Sequence, residues 1–166
     1  DVELVVSSPL TRALATADAA FDDALTRGVP ALALPLAAER CYMTSDVGTP
    51  ISVLRDGVGK RFTFRREEFP EDNWWYGAQT NSPEYASPPA DDWRPPGTYC
   101  SAGEPLAAFR ARMAALTEWL QARDEAVIGV TCHWGVLAAL TGTSFENNEV
   151  RRIPLSELRV RTDVEY

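Results

Sequence analysis

With 166 residues the chain is long enough for one domain with a sizeable hydrophobic core, and at 45% hydrophobic and 24% charged it has the make-up of a globular protein. Its formal charge of −8 argues against a nucleic acid as partner, since phosphate backbones reward an excess of Lys and Arg, and against docking on an anionic membrane surface. A small anionic ligand stays open, because a few arginines make a positive pocket locally on an acidic protein. No apolar run approaches the ~20 residues of a membrane span. The start lacks the basic stretch and apolar run of a secretory signal. Cys41, Cys100 and Cys132 are widely spaced and odd in number, a poor pattern for disulfides or zinc. We expect reduced thiols in an intracellular, cytoplasmic protein. The chain opens at once on a strand pattern with no initiator Met, from which we expect a piece of a longer protein.

In chain order, Leu4 to Val6 reads as a short buried strand. Ser8 is placed to cap a helix and Pro9 to fill its first turn. Leu10, Ala13, Ala17, Phe21 and Leu25 make an apolar stripe at helical spacing, and Gly28 closes that helix. "PALALPL", Pro30 to Leu36, predicts a second strand. From Cys41 to about Gly103 regular signals fade. Seven of the 12 prolines fall there, with Trp74, Trp75 and Trp93, and only "SVLRDGVGKRF" hints at a helix. A stretch so rich in tryptophan is expected to be a packed capping loop over residues 41–103, not a disordered one. "EPLAAFRARMAALTEWLQAR" predicts an amphipathic helix opened by Glu104 and Pro105. "AVIGVTC" reads as a strand apolar on both faces, as central parallel strands are. "GVLAALTG" is a helix ending at Gly142, and "EVRRIPLSELRV" predicts one or two closing strands. The whole is an α/β chain of strand–helix units.

Two positions fall where a strand hands over to a helix, the sheet edge at which α/β proteins bind ligands. Arg12 lies in the first turn after the first strand. His133, the only histidine, follows the "VIGVTC" strand. A guanidinium fork and an imidazole meeting at such an edge suit a phosphate, helped by free N–H groups at a helix start. Each residue alone has a blander reading: a first-turn arginine is usually solvated, and a strand-end histidine is usually a structural hydrogen-bonder. Cys132 and His133, being adjacent on an extended strand, point to opposite faces and make a poor catalytic pair. No G-x-S-x-G elbow surrounds Ser7 or Ser8.

Taken together, "VVSSPLTRALATA", "ALPLAAERC" and "VTCHWGVLAALTG" resemble the histidine phosphatase superfamily, the phosphoglycerate mutase-like proteins. "FENNEVRRIPL" is similar to the segment that follows the second histidine there. The spacer from "SDVGTPISVL" to "REEFPEDNWW" resembles the plant, algal and fungal branch. The resemblance covers nearly the whole chain. It implies a three-layer α/β sandwich with a mostly parallel sheet and a phosphate monoester substrate, with no metal or other cofactor. It implies that Arg12 grips phosphate and that His133 stabilises the transferring phosphoryl group. Glu39 occupies the region of the proton donor, with Asp46 the second candidate. A carboxyl does that work only if its pKa is raised toward neutrality. Arg61, Arg65, Arg66, Trp74 and Trp75 are candidates for the substrate loop.

The chain departs from the family where it matters most. The nucleophile sits in an arginine-histidine-glycine motif on an upstream strand, and this sequence has no such motif. Either an amino-terminal strand is missing, which we expect, or the domain is a non-catalytic relative. The expected sheet therefore lacks one central strand, leaving unpaired backbone groups and a marginally stable chain, or one that pairs through its open edge. The expected parent is a phosphomonoesterase working through a phosphohistidine, and the chain itself is expected to be inactive. A phospho-ligand-binding domain is the alternative, and a phosphomutase a weaker one.

Overall fold

The structure is a computed structural model and describes residues 1–76 and 104–161. Trp93, Cys100 and the prolines from Pro83 to Pro96 lie outside the described residues, as does the rest of the expected loop beyond Tyr76.

Three short parallel strands form the sheet: β1 (Leu4–Ser7), β2 (Ala31–Ala33) and β3 (Ile128–Thr131). Their order is β2-β1-β3, with Val5 opposite both Ala31 and Gly129. An isolated parallel bridge from Leu32 to Thr63 covers the outer side of β2. β3 has β1 as its single neighbour among the described residues, and Val130 is 37% exposed. The strand read from its apolar faces as central thus stands at an edge among the described residues.

Alternation along β1 sorts the core onto two faces, as a period of two requires. Val5 points with Ala31 and Ala33 into a cluster with Leu10, Leu14, Ala17 and the aromatics Phe62, Phe64, Phe69, Trp74 and Trp75. Leu4, Val6 and Leu32 point the other way, against Phe109, Met113, Leu116 and Val136. The helices follow this division. α1 (Thr11–Ala20), α2 (Asp22–Thr26) and α3 (Ile51–Asp56) belong to the first face. α4 (Leu106–Gln121) and α5 (Trp134–Thr141) cover the second.

Three expectations about the first part of the chain need correction. The first helix begins at Thr11, with Leu10 in the cap position; Ser8 instead ties the preceding turn, its Oγ accepting the Leu10 N–H at 3.2 Å. That helix also breaks at Phe21, whose backbone leaves helical geometry and whose ring sits where a Cβ on Gly129 would lie 2.6 Å away. The break lets the ring pack against β3. "PALALPL" is strand only over Ala31–Ala33 and becomes a 3-10 turn at Pro35–Ala37.

The expected closing strands are absent among the described residues. That segment holds a 3-10 turn at Leu155–Glu157, and the Arg159 and Arg161 amides bond to the Leu140 and Ala139 carbonyls at the end of α5. Pro154 has no N–H to give a ladder, so the chain docks on helix ends instead.

Over its described part, residues 41–76, the stretch is packed, and the hinted helix is α3. Trp74 and Trp75 are 3% and 6% exposed, stacked edge-on at 6.3 Å, and the Trp74 indole N–H donates to the Thr49 carbonyl at 2.9 Å. Gly48 is pressed against them so closely that a Cβ there would meet Trp75 at 2.6 Å. The two tryptophans are core, and they fix the loop that carries Asp46.

The second face rests on α4. Leu116 is fully buried, and Leu116→Ala should lower unfolding free energy by about 3 kcal/mol. Urea titration measures this; a loss under about 1 kcal/mol would mean that α4 does not pack on the sheet as described.

Candidate functional site

The carboxyl ends of the strands bring three sequence-predicted residues together. β1 ends at Ser7 and the chain turns through Ser8 and Pro9 into α1, where Arg12 occupies the first turn. β3 ends at Thr131, and His133 stands at the cap position of α5. β2 ends at Ala33, and the turn at Pro35–Ala37 carries the chain to Glu39. Parallel strands in register deliver these three turns to one edge.

His133 is 8% exposed, and its Nε2 lies 2.8 Å from Ser8 Oγ. This has the length of a nucleophile–base contact, but Ser8 is fully buried and its Oγ also accepts the Leu10 N–H. The serine therefore holds the ring and offers nothing to a substrate. Burial first, then the positive charges of Arg12 and Arg112, push the His133 pKa down to about 3. The ring is neutral across the physiological range and acts as a hydrogen-bonding group, not as a fixed charge.

Glu39 accepts the Gly135 N–H on Oε2 at 3.0 Å and the Arg40 N–H on Oε1 at 2.9 Å. Its pKa is raised: desolvation outweighs these two hydrogen bonds, and Asp46 pushes the same way while Arg12 opposes. The contact with the start of α5 leaves no space for a side chain. A Cβ on Gly135 would lie 2.4 Å from Glu39 Oε1, so this glycine is set by close approach and not by its backbone angles.

Asp46, 7% exposed, forms an ion pair with Arg12 Nη2 at 3.0 Å and accepts the Met43 N–H at 2.9 Å. Arg12 Nη1 donates to the Ser45 carbonyl. Arg12 keeps nearly half of its side chain exposed, so its fork is steered by the 45–46 turn yet reaches solvent.

The other sequence candidates are not brought here. Arg61 binds Asp18 and Asp22 at 3.2 and 2.8 Å and also reaches Thr26, on α1 and α2. Arg65 and Arg66 are exposed, and the tryptophans are core. Desolvation pushes the Cys132 thiol up to about 12, with the Glu39 charge adding to it, so it is not a thiolate at neutral pH.

Sequence reasoning missed an ion pair beside Glu39 between a buried carboxylate and a largely covered guanidinium. Arg112 on α4 meets the Glu104 carboxylate with both Nε and Nη2, at 2.8 and 2.6 Å. The eight-residue spacing lay within one helix pattern and gave no periodic signal, because Glu104 stands outside the helix.

Among the described residues, no group of three His, Cys, Asp or Glu side chains gathers as a metal site would require, and no helix is long and apolar enough to cross a membrane. Comparison with family models, with curated proteins and with solved structures finds no match to this chain.

Two outcomes are expected of the site. Gly135→Ala must displace the Glu39 carboxyl, and carboxyl-carbon NMR should show Glu39 titrating nearer its ordinary value; an unchanged titration would refute the close contact. His133 is neutral in the fold but takes a proton near pH 6.5 when unfolded. Its contribution to stability is therefore full above that pH and falls away as pH drops toward 3. Glu39, with a raised pKa, acts with the opposite sign, losing stability as pH rises. The difference between wild type and His133→Asn isolates the histidine. Urea midpoints between pH 7 and 4 should fall more steeply for wild type than for the variant; parallel curves would contradict a buried neutral ring.

Proposed function

We propose that this chain carries the phosphate-gripping and proton-donating part of a phosphomonoesterase site of the histidine phosphatase kind, on a phosphoglycerate mutase-like fold. The observation that carries this reading is the convergence of Arg12, Glu39 and His133 on one sheet edge from three separate strand ends. Arg12 grips two phosphate oxygens, and the neutral His133 hydrogen-bonds a third. Glu39 is the acid that protonates the leaving oxygen. It is preferred over Asp46 because burial favours its protonated form, whereas the Asp46 carboxylate already bonds Arg12 and the 42–43 backbone. Covalent catalysis needs a nucleophilic histidine in line with the leaving group. His133 is the only histidine here and is assigned to the equatorial oxygens.

A second reading, a phospho-ligand-binding domain without turnover, is favoured by that same single histidine and by its ring being held neutral against Ser8. Both readings require phosphate binding by the 166 residues, and both place no hydrolysis in them.

Calorimetry with inorganic phosphate should detect binding at neutral pH, weakened roughly tenfold or more by Arg12→Ala, as loss of a charged hydrogen-bond donor implies. An aryl phosphate should be bound but not hydrolysed. Absence of phosphate binding removes both readings. Hydrolysis that disappears in His133→Ala would show that no second histidine is needed and would overturn the assigned mechanism.

A further inference from the structure

Arg112 does more than close an ion pair. Its Nη1 donates to the Leu36 carbonyl at 2.9 Å and the Ala38 carbonyl at 2.7 Å, and its Nη2 to the Glu39 carbonyl at 3.3 Å. One guanidinium therefore holds three carbonyls of the segment leading into Glu39. Glu104, 3% exposed, holds the guanidinium in turn with both oxygens. Its own backbone closes the circle: the Glu104 N–H donates to the Cys41 carbonyl at 2.7 Å and its carbonyl accepts Arg40 Nε at 2.8 Å. The segment 36–41 is thus tied on both sides of Glu39 by two residues of one ion pair.

This is more than the fold alone calls for. A buried pair is an expensive way to gain stability, since taking two charges from water offsets most of their attraction. A guanidinium fork in contact with three carbonyls fixes a backbone path more narrowly than apolar packing does. The path it fixes ends in the contact between the Glu39 carboxyl and the Gly135 N–H, with no space to spare. We propose that the Arg112–Glu104 pair is a positioning device that holds the Glu39 carboxyl against the start of α5. The proposal rests on the phosphomonoesterase reading only for the use made of that carboxyl, not for its placement.

Several charged or titratable groups face Glu39 from the elements around it. Arg12 reaches from α1, Asp46 from the loop before α3, Arg112 from α4, and Cys132 and His133 stand at the end of β3. The test must separate placement of the carboxyl from a general change of charge, and Arg112→Lys does so. It keeps the positive charge but cannot hold the Glu104 fork and three carbonyls together. Glu104→Gln is the second variant, removing the charge on the other side while keeping shape.

In the full chain without phosphate, carboxyl-carbon NMR follows Glu39, while the Val5, Val6 and Gly129 amides report on the sheet. In both variants the Glu39 titration should move down toward the ordinary glutamate value, with the sheet amides in place. An unchanged Glu39 titration in folded variants overturns the proposal. Loss of the sheet amides in both variants overturns it equally, because the pair would then hold the fold and not the acid. Calorimetry with inorganic phosphate on the same samples keeps the two ideas apart. A moved titration in a protein that never binds phosphate leaves the positioning role standing and removes the phosphomonoesterase reading.

Discussion

The hydrogen bond from the Gly135 N–H to Glu39 Oε2 is the contact on which the site depends. It joins the turn after β2 to the start of the helix after β3, and so closes the strand-end edge across the top of β1. Everything near it is arranged to permit that approach. Residue 135 has no side chain, Ser8 holds the His133 ring from the β1 side, and the Leu36, Ala38 and Glu39 carbonyls are clamped from α4. A carboxylate at the start of a helix is electrostatically favoured. Here burial wins over that gain, and the Glu39 pKa is raised.

Two arginines share this neighbourhood with different surroundings. Arg112 is enclosed and spent on Glu104 and carbonyls, so its charge is matched within the fold. Arg12 is matched on one side by Asp46 and open on the other. Both act on His133 and, with burial, keep it neutral. One arginine is thus enclosed by the fold and the other keeps a solvent-facing side. The 45–46 turn that steers Arg12 is itself set by Gly48 against Trp74 and Trp75, which links a tryptophan pair far along the sequence to the edge of the sheet.

Much of this was legible in the sequence where a period exists. The β1 run, the α4 stripe and the α5 helix ending at Gly142 stand where their patterns put them. What failed did so for local reasons. Phe21 breaks a helix that its spacing would have continued, because the ring is drawn onto Gly129. The segment after Pro154, expected as a closing strand, bonds the end of α5 instead. Phe62, Phe64, Phe69, Trp74 and Trp75 are core residues without a sustained period; the tryptophan content pointed to a packed stretch but not to the face on which it packs. Of the residues gathered at the sheet edge, Arg12 and His133 were legible from their places at strand ends, and Glu39 only through the family resemblance. Gly135 and the Arg112–Glu104 pair were not, since a close approach and a buried pair have no signature in one sequence. Gly135 alone gave a hint, standing two residues after a histidine at a helix start.

The central claim is that Arg12 and His133 form one anion site at the edge of the sheet. The most direct measurement is side-chain nitrogen NMR of the Arg12 guanidinium and the His133 ring during titration with inorganic phosphate at neutral pH. The account predicts that both signals move together and saturate at one concentration, with the ring staying neutral. Movement of Arg12 alone, or of neither, would contradict it.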